Sequence, residues 1–302
     1  MSRNKQIVNE TVAAMVVGFA FLIMASASRT FAQISNPFAS SAIAKADAKP
    51  DASPSNAESG PEVPAPTPKP TWTGFYVGGY VGGTSVKATA STSTTFTTGG
   101  YFAVDSPAAI STVGTQQLSR SGFSGGGQVG YNHQSGRFVI GAEADFGVTG
   151  GGTITATGSG IYPCCTTTGF TITQSLKSKW LMTARPRAGY IWHGILIYGT
   201  GGLAVTDLNY QAVFTDTFAA AAENGGVNKI RIGWTGGGGA GYKLGKKWSV
   251  KAEYLFADFG RVTTTSANMT VLTPPINALP TIFTHSIYTK ESAIRFGVNY
   301  HF

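Results

Sequence analysis

The chain has 302 residues, of which 40 are glycine, and only 12% of its residues are charged. The formal net charge is +8, but no segment gathers lysine and arginine around interleaved aromatic residues. The sequence therefore gives no support to nucleic-acid binding. Abundant glycine with aromatic residues and few charges is typical of strongly curved β-sheet, where glycine relieves crowding at bends.

The first 32 residues have the pattern of a secretory signal peptide. Arg3 and Lys5 form a basic start, and an apolar run begins at Val12. Small residues then offer cleavage after Ala27 or after Ala32. A membrane-anchoring helix is the alternative, but it needs about 20 apolar residues. We expect an exported chain, and no later stretch predicts a transmembrane helix, so a membrane-embedded domain would have to be a β-barrel.

Residues 33–71 predict a disordered linker. Five prolines fall within 61–70, among alanine, serine and scattered charges. Such a composition cannot bury a core and favours partly polyproline II conformations. A periplasmic tether and a flexible tail without a tethering role are both open interpretations. The remaining residues, 72–302, predict a single domain.

Period-two alternation predicts eight strands in this domain. Their predicted positions are 72–87, 121–132, 137–150, 177–193, 195–206, 230–244, 248–260 and 290–302. Three connections are tight, and four are long: 88–120, 151–176, 207–229 and 261–289. Strict alternation of short and long connections is typical of an up-and-down transmembrane barrel with external loops. We therefore predict an all-β fold, an eight-stranded antiparallel transmembrane β-barrel in the outer membrane, with both termini periplasmic.

The alternation also predicts which side chains face lipid and which face the lumen. In the first strand, Phe75, Val77 and Val81 are expected to point outward. A girdle of aromatic residues is expected at the periplasmic rim: Trp72, Tyr131, Phe138, Trp192, Tyr242, Trp248 and Tyr300. Seven charged residues fall on the lumen parity: Glu143, Asp145, Arg185, Arg187, Lys251, Glu253 and Arg295.

These inward charges have two interpretations, acid–base catalysis or a structural network of ion pairs. Side chains fill the interior of an eight-stranded barrel, and buried charges are costly unless they are paired. We therefore predict a lumen charge network without a catalytic role.

The last strand ends on an aromatic residue. Ile294, Phe296, Val298, Tyr300 and Phe302 share one parity, which makes one face apolar. The pattern resembles the closing strand of bacterial outer-membrane barrels, whose terminal aromatic residue is read by the assembly machinery. The resemblance implies that Phe296, Val298, Tyr300 and Phe302 form an assembly signal and that the barrel-assembly machinery is a partner.

Four motifs spread over the domain resemble the opacity-like, outer-membrane immunogenic proteins of alphaproteobacteria. They are Trp72–Gly83 (WTGFYVGGYVGG), Tyr198–Ala204 (YGTGGLA), Trp248–Tyr254 (WSVKAEY) and the tail RFGVNYHF. The resemblance implies an eight-stranded outer-membrane barrel with roles in envelope integrity and host contact. Expected partners are outer-membrane lipid and lipopolysaccharide, with peptidoglycan or a host surface reached through the linker or loops. Some relatives join peptidoglycan through an Ala-Asp start, but Ala46-Asp47 lies far from either cleavage site, so this is not carried over.

No motif predicts a catalytic residue, a cofactor or a metal. His285, Ser286 and Glu291 are the residues to consider as the nucleophile and base of a hydrolase. Adjacent residues of a strand face opposite sides, however, so His285 is a poor base for Ser286. The glycine run at 236–239 is not followed by the Lys-Ser/Thr of a phosphate loop. Cys164 and Cys165 leave three outcomes open: a strained bond to each other, pairing between molecules, or free thiols.

The predicted function is a non-enzymatic outer-membrane barrel that contributes to envelope structure and surface interaction. A narrow diffusion pore, a surface adhesin or ligand-binding barrel, and a lipid-modifying outer-membrane enzyme are the alternatives.

Overall fold

The computed structural model describes residues 71–150, 152–272 and 280–302, so the predicted signal peptide and the linker up to residue 70 lie outside the described residues. Within these ranges, no helix has the length and apolarity needed to cross a membrane. The elements are β1 Gly74–Thr94, α1 Ser106–Gly114, β2 Gln116–Ser135, β3 Phe138–Thr149, β4 Ile154–Tyr162, β5 Cys165–Lys177, β6 Trp180–Trp192, β7 Ile195–Asp216, β8 Ala222–Leu244, β9 Trp248–Ser266 and β10 Phe283–His301.

Eight of these strands form a closed antiparallel ring, in the order β1, β2, β3, β6, β7, β8, β9, β10. β10 closes the ring on β1, with Tyr76 opposite His301. This confirms the predicted eight-stranded antiparallel barrel. His193 and Gly194 join β6 to β7 with φ of 49° and 85°, the positive values that a two-residue hairpin turn requires. We call the end with the three tight turns and Phe302 the near end, and the opposite end the far end.

An apolar belt covers the outside of the ring. Phe75, Val77 and Val81 are 48%, 48% and 69% exposed, which confirms their predicted outward orientation. The belt runs from Tyr300, opposite Trp248, to Ser292, opposite Phe256. The nine residues from 292 to 300 span roughly 27 Å along the strand, at ~3.4 Å for each of the eight steps. A strand tilt of ~35–45° reduces this to roughly 20 Å along the membrane normal, close to the ~25 Å apolar band of transmembrane barrels.

Trp72 does not belong to the near-end girdle, and that part of the prediction is wrong. Its side chain is 4% exposed and its ring lies edge-on to His301, 5.9 Å between centroids. The backbone N–H of Trp72 donates to Gln134 Oε1 at 2.8 Å. Residue 72 precedes the first strand, so strand parity does not fix its direction, and its side chain packs inside the near end of the ring.

The four predicted long loops are wrong in extent. β1, β7, β8, β9 and β10 continue well past the belt, and the predicted loop 151–176 contains the hairpin of β4 and β5. These segments are rich in threonine, serine, alanine and glycine. Such small and polar residues give a weak period-two signal, although their inward positions are buried.

Beyond the belt the ring divides into two four-stranded sheets. β3 ends at Thr149 and β6 begins at Trp180, so β5 replaces β6 as the partner of β7. The pairing of β8 with β9 stops at Trp234 opposite Asp258. The sheets β9-β10-β1-β2 and β8-β7-β5-β4 remain, and in the described residues no strand pairing joins β2 to β4. We call this part the two-sheet extension.

The two sheets enclose an apolar core. Ala88, Ala90, Leu118, Val262 and Ile287 of the first sheet pack with Leu176, Leu208, Tyr210, Ala212 and Val227 of the second. A second cluster, Phe102, Ile110, Tyr162, Phe170, Ile172, Phe214 and Phe283, closes the tip and includes α1. The inward side chains thus change from polar within the belt to apolar beyond it, as expected where the outside of the strands passes from lipid to water.

Long polar side chains bridge the two open seams of the extension. At one seam, Arg120 donates to the carbonyl of Thr153 at 3.3 Å, and Gln116 donates to the carbonyl of Ile172 at 3.0 Å. At the other, Arg231 donates to the carbonyl of Phe259 at 3.0 Å. Side chains therefore satisfy backbone groups where strand pairing is missing.

We predict that Ile172→Ala loosens the extension, because Ile172 is fully buried in the tip cluster and such truncations cost about 2–5 kcal/mol. Chymotrypsin should cut the variant faster beyond the belt than it cuts the wild type, as followed by mass spectrometry of the fragments. Ser175 lies on the outward face of the same strand, so Ser175→Ala is the control. Chymotrypsin should cleave this variant at the wild-type rate. Equal cleavage of the wild type and Ile172→Ala would contradict a packed extension.

Candidate functional site

The structure brings the seven predicted lumen charges into one buried cluster. Glu143 and Asp145 come from β3, Arg185 and Arg187 from β6, Lys251 and Glu253 from β9, and Arg295 from β10. Their side chains are at most 5% exposed. Strand parity places them inward, and the register sets Glu143 opposite Arg185 and Glu253 opposite Arg295. We call them the lumen charge network.

Glu143 is the most connected carboxylate of the network. Its Oε1 accepts from Lys251 Nζ at 2.7 Å and from Arg185 Nη2 at 2.9 Å. Its Oε2 accepts from the Tyr76 hydroxyl at 2.8 Å and from Arg187 Nη1 at 3.1 Å. Both oxygens are therefore fully occupied by donors, three of them cationic, so this carboxylate is held in place and is not free to act as a general base.

Arg185 is the cation of the network with the most ion pairs. Its Nη2 also donates to Asp145 Oδ2 at 2.9 Å, and its Nη1 donates to Glu253 Oε1 at 3.1 Å. Arg295 donates to the other oxygen of Asp145 at 2.8 Å. One guanidinium thus joins three carboxylates from two strands on different sides of the lumen.

Tyrosine rings fill the space between the charges. The Arg187 guanidinium lies 4.5 Å from the centre of the Tyr198 ring, and that of Arg295 lies 4.4 Å from the centre of Tyr80. The Tyr198 hydroxyl donates to Glu253 Oε2 at 3.0 Å. Cation–π contacts and hydrogen bonds together pack the cluster across the lumen. The arrangement stabilises the barrel and obstructs its interior.

The sequence prediction missed one member of the same interior. Glu291 is buried on β10, four residues from Arg295 on the same inward parity, and accepts from Thr84 Oγ1 at 2.7 Å. It supplies a fourth carboxylate beside the four cations. The shared parity of 291 and 295 is a usable signal, but from the sequence Glu291 is considered only beside His285 and Ser286, as a catalytic group that the pattern does not support.

His285 and Ser286 face opposite sides of the sheet. Ser286 lies on the outward parity and accepts from Arg261 at 3.3 Å. His285 is fully buried in the extension, with Nδ1 3.0 Å from Thr92 Oγ1 and Nε2 2.9 Å from Ser266 Oγ and 3.2 Å from Glu223 Oε1.

The contacts around His285 indicate a structural role for this residue. A Cβ on Gly225 would lie 2.3 Å from the His285 ring, so glycine is required at that position. The hydroxyl nearest Nδ1, that of Thr92, is itself 0% exposed, so a substrate has no path to it. The contacts join β8 to β9 and β10 across an open seam. Sequence reasoning missed Ser266 and Glu223 because both fell in predicted loops.

Cys164 and Cys165 lie at the turn of the β4–β5 hairpin as free thiols. They line a cavity of about 250 Å³ at the far tip, whose aromatic walls are Tyr101, Phe102, Tyr162 and Phe218. A hydrogen bond with the Cys164 thiol raises the pKa of Cys165, which disfavours its reactive thiolate. The strained bond between the two and the pairing between molecules, which the sequence leaves open beside free thiols, stay hypotheses.

The four residues of the predicted assembly signal lie on the outer face, from Phe296 in the middle of the belt to Phe302 at the near end. Phe296, Val298 and Phe302 are 60%, 49% and 79% exposed. The backbone N–H of Phe302 donates to the carbonyl of Phe75 at 3.0 Å, and its ring lies edge-on to Tyr300. Their role in assembly stays a prediction.

Residues 62–302 match the family model described as outer membrane protein beta-barrel domain. The 31 kDa outer-membrane immunogenic protein of Brucella melitensis is 32% identical over 192 residues, which are 63% of this chain and 70% of the relative. The 22 kDa outer membrane protein of Rhizobium leguminosarum bv. viciae is 29% identical over 136 residues, 44% of this chain and 52% of that protein.

Among solved structures, the outer membrane protein OprG of Pseudomonas aeruginosa aligns with 77% of this chain and 99% of its own. The sequence identity is 12% and the TM-score 0.40.

We predict that Glu143→Gln lowers the free energy of unfolding by about 3–5 kcal/mol, because it leaves buried cations without their shared partner. The urea midpoint of the folded barrel in detergent micelles measures this. Asp105→Asn removes an exposed carboxylate and serves as the control, with an expected change within about 0.5 kcal/mol. A Glu143→Gln midpoint equal to that of the wild type would show that water already solvates the network.

Proposed function

Because the chain belongs to the outer membrane protein beta-barrel domain family, we propose that it is a non-enzymatic, closed barrel that strengthens the envelope and presents a folded surface to the outside. The observation that carries this proposal is the lumen charge network. It crosses the interior with paired ions and tyrosine rings, each held by short contacts. Partners in fixed positions neutralise the charge of each side chain in this network, so these side chains serve to pack the lumen.

We place the near end in the periplasm and the far end outside the cell. All three tight turns and residues 72 and 302 lie at the near end, and transmembrane barrels have short periplasmic turns and longer external segments. A tether in the linker, which precedes residue 72, would then act on the periplasmic side. The two-sheet extension would be the part of the molecule that other cells or antibodies meet.

The extension supports a role in surface contact. Its tip exposes several large apolar side chains among polar ones: Phe96, Val104, Ile161 and Phe218. The packed core beneath them fixes their positions, which reduces the entropy lost on binding. The Brucella relative is described as an outer-membrane immunogenic protein, and this description fits a barrel with an exposed, ordered surface.

The closed lumen predicts that the purified wild-type barrel gives no stable conductance steps in planar bilayers. The control is Arg185→Ser with Glu143→Ser and Glu253→Ser, which removes three long side chains from the middle of the network and should produce small steps. Stable steps from the wild type would favour the diffusion pore instead.

The proposed orientation predicts that a short epitope tag inserted after Thr98, which is exposed beyond β1, is stained by antibody on intact cells. A tag after Lys246, in the exposed turn between β8 and β9, should be stained only after the outer membrane is permeabilised. The reverse pattern would place the extension in the periplasm. Western blots of both tagged proteins provide the expression control.

A further inference from the structure

Basic side chains follow the far edge of the apolar belt. The edge is marked by two outward aromatic pairs, Trp234 with Phe256 and Phe146 with Trp180. Seven cations lie beyond it, at distances of about one to five residues, on six strands or their ends, six exposed and Lys290 half-buried: Lys87, Arg120, Lys177, Lys179, Lys229, Arg261 and Lys290. Within the described ranges, none of them has a carboxylate oxygen within 4.0 Å.

Three of these cations gather on the outward face of adjacent strands. Lys87 of β1 stands directly opposite Lys290 of β10, and Arg261 of β9 stands opposite Tyr288. Lys290 Nζ lies 4.8 Å from the centre of the Tyr288 ring, and Arg261 Nη1 donates to Ser286. Like charges directly opposite each other destabilise a sheet, so this pairing favours an anion between them. We call Lys87, Arg261 and Lys290 the basic patch.

The nearby acids do not neutralise these cations. Asp258 is opposite Lys290, but its oxygens accept from the Tyr288 hydroxyl at 2.5 Å and from the backbone N–H of Gly260 at 2.8 Å. On the other side of the ring, Asp207 accepts from the backbone N–H groups of Lys179 and Trp180. These neutral donors leave both carboxylates charged, but in the part of the chain that the structure describes neither acid forms an ion pair with the cations. Asp258 is one carboxylate beside the three cations Lys87, Arg261 and Lys290, so this surface keeps a positive potential.

The position of the basic patch along the membrane normal indicates which kind of anion it binds. Ser292 is opposite Phe256 at the belt edge, and Lys290 is the next outward position on β10. Two residues advance roughly 7 Å along a strand. A bilayer has about 30 Å of hydrocarbon within 40–45 Å in total, so its headgroup layer is ~5–8 Å thick on each side. Lys87 and Lys290, which stand opposite each other, therefore lie at the depth of lipid headgroups. Arg261 stands opposite Tyr288, one outward position further on, so its backbone lies roughly 14 Å from the belt edge, above the two lysines.

We propose that Lys87, Arg261 and Lys290 form a binding site for the phosphate groups of a phosphorylated glycolipid in the leaflet at the far end. Arg261 and the two lysines supply point charges and hydrogen-bond donors to phosphate oxygens, while the aromatic pair below contacts the acyl chains. The site takes a lipid rather than free phosphate, because the belt aligns it with the headgroup layer. The proposed orientation determines which leaflet is bound, but binding itself does not depend on it.

The test uses the full chain, folded in non-ionic detergent, and bis-phosphorylated lipid A as the probe. Native mass spectrometry over a titration gives the apparent affinity. We expect Lys87→Gln with Arg261→Gln and Lys290→Gln to weaken binding at least ten-fold. The control, Arg137→Gln with Lys246→Gln and Lys247→Gln, removes three exposed cations at the near end and should change affinity less than two-fold.

Three further arms separate the ligand chemistries. Lipid A without its phosphates should bind the wild-type protein only as weakly as phosphorylated lipid A binds the triple variant. Binding of phosphorylated lipid A to the wild type should weaken as the salt concentration rises. Inorganic phosphate at millimolar concentration should not displace the lipid. Equal binding by both forms of lipid A, displacement by inorganic phosphate, or wild-type affinity in the triple variant would each overturn the proposal.

A single substitution distinguishes a lysine that binds lipid from a lysine with only a structural role. Lys87→Gln relieves the repulsion of Lys290, so it should raise the thermal stability of the lipid-free barrel while lowering its affinity for phosphorylated lipid A. The gel shift between unheated and heated samples shows whether each variant is folded. Lower stability with unchanged lipid affinity would overturn the site.

Discussion

The barrel depends on one constraint: charges taken out of water inside a narrow ring must meet opposite charges there. Arg185 satisfies it by donating to Glu143, Asp145 and Glu253. Because these carboxylates come from β3 and β9, the guanidinium connects strands that do not pair with one another in the ring. Its removal would leave three carboxylates with fewer donors, and such broken buried pairs are strongly destabilising. The closed lumen is a consequence of this requirement.

The same strands meet a different constraint outside the belt. There water surrounds them, so the outward face is polar and the inward face is apolar, as in a soluble β protein. Two sheets replace the ring because β3 ends at Thr149, and β6 starts only at Trp180. The seams that result are joined by side chains, for example Arg231 to the carbonyl of Phe259. At the boundary between the two regimes lie the cations of the basic patch.

Strand parity within the belt was predictable from the sequence, because lipid on one side and charge on the other give a strong period-two signal. Phe75, Val77 and Val81 point outward as predicted. Glu253 and Arg295, placed on one parity from sequence alone, stand opposite each other in the ring. The extension was not predictable in this way, because its inward positions include Ala88, Ala90 and Ala212, which differ little in hydropathy from their outward neighbours. The partners of His285 were missed for the same reason.

The central claim, that paired buried charges hold the barrel closed and stable, is tested most directly by a double-mutant cycle on Arg185 and Glu253. Unfolding free energies in urea would be measured for Arg185→Met, Glu253→Leu and the double variant. We expect each single variant to be destabilised and the double variant to lose less than the sum, with a coupling energy of about 0.5–3 kcal/mol. Additive losses, with no coupling, would contradict the account.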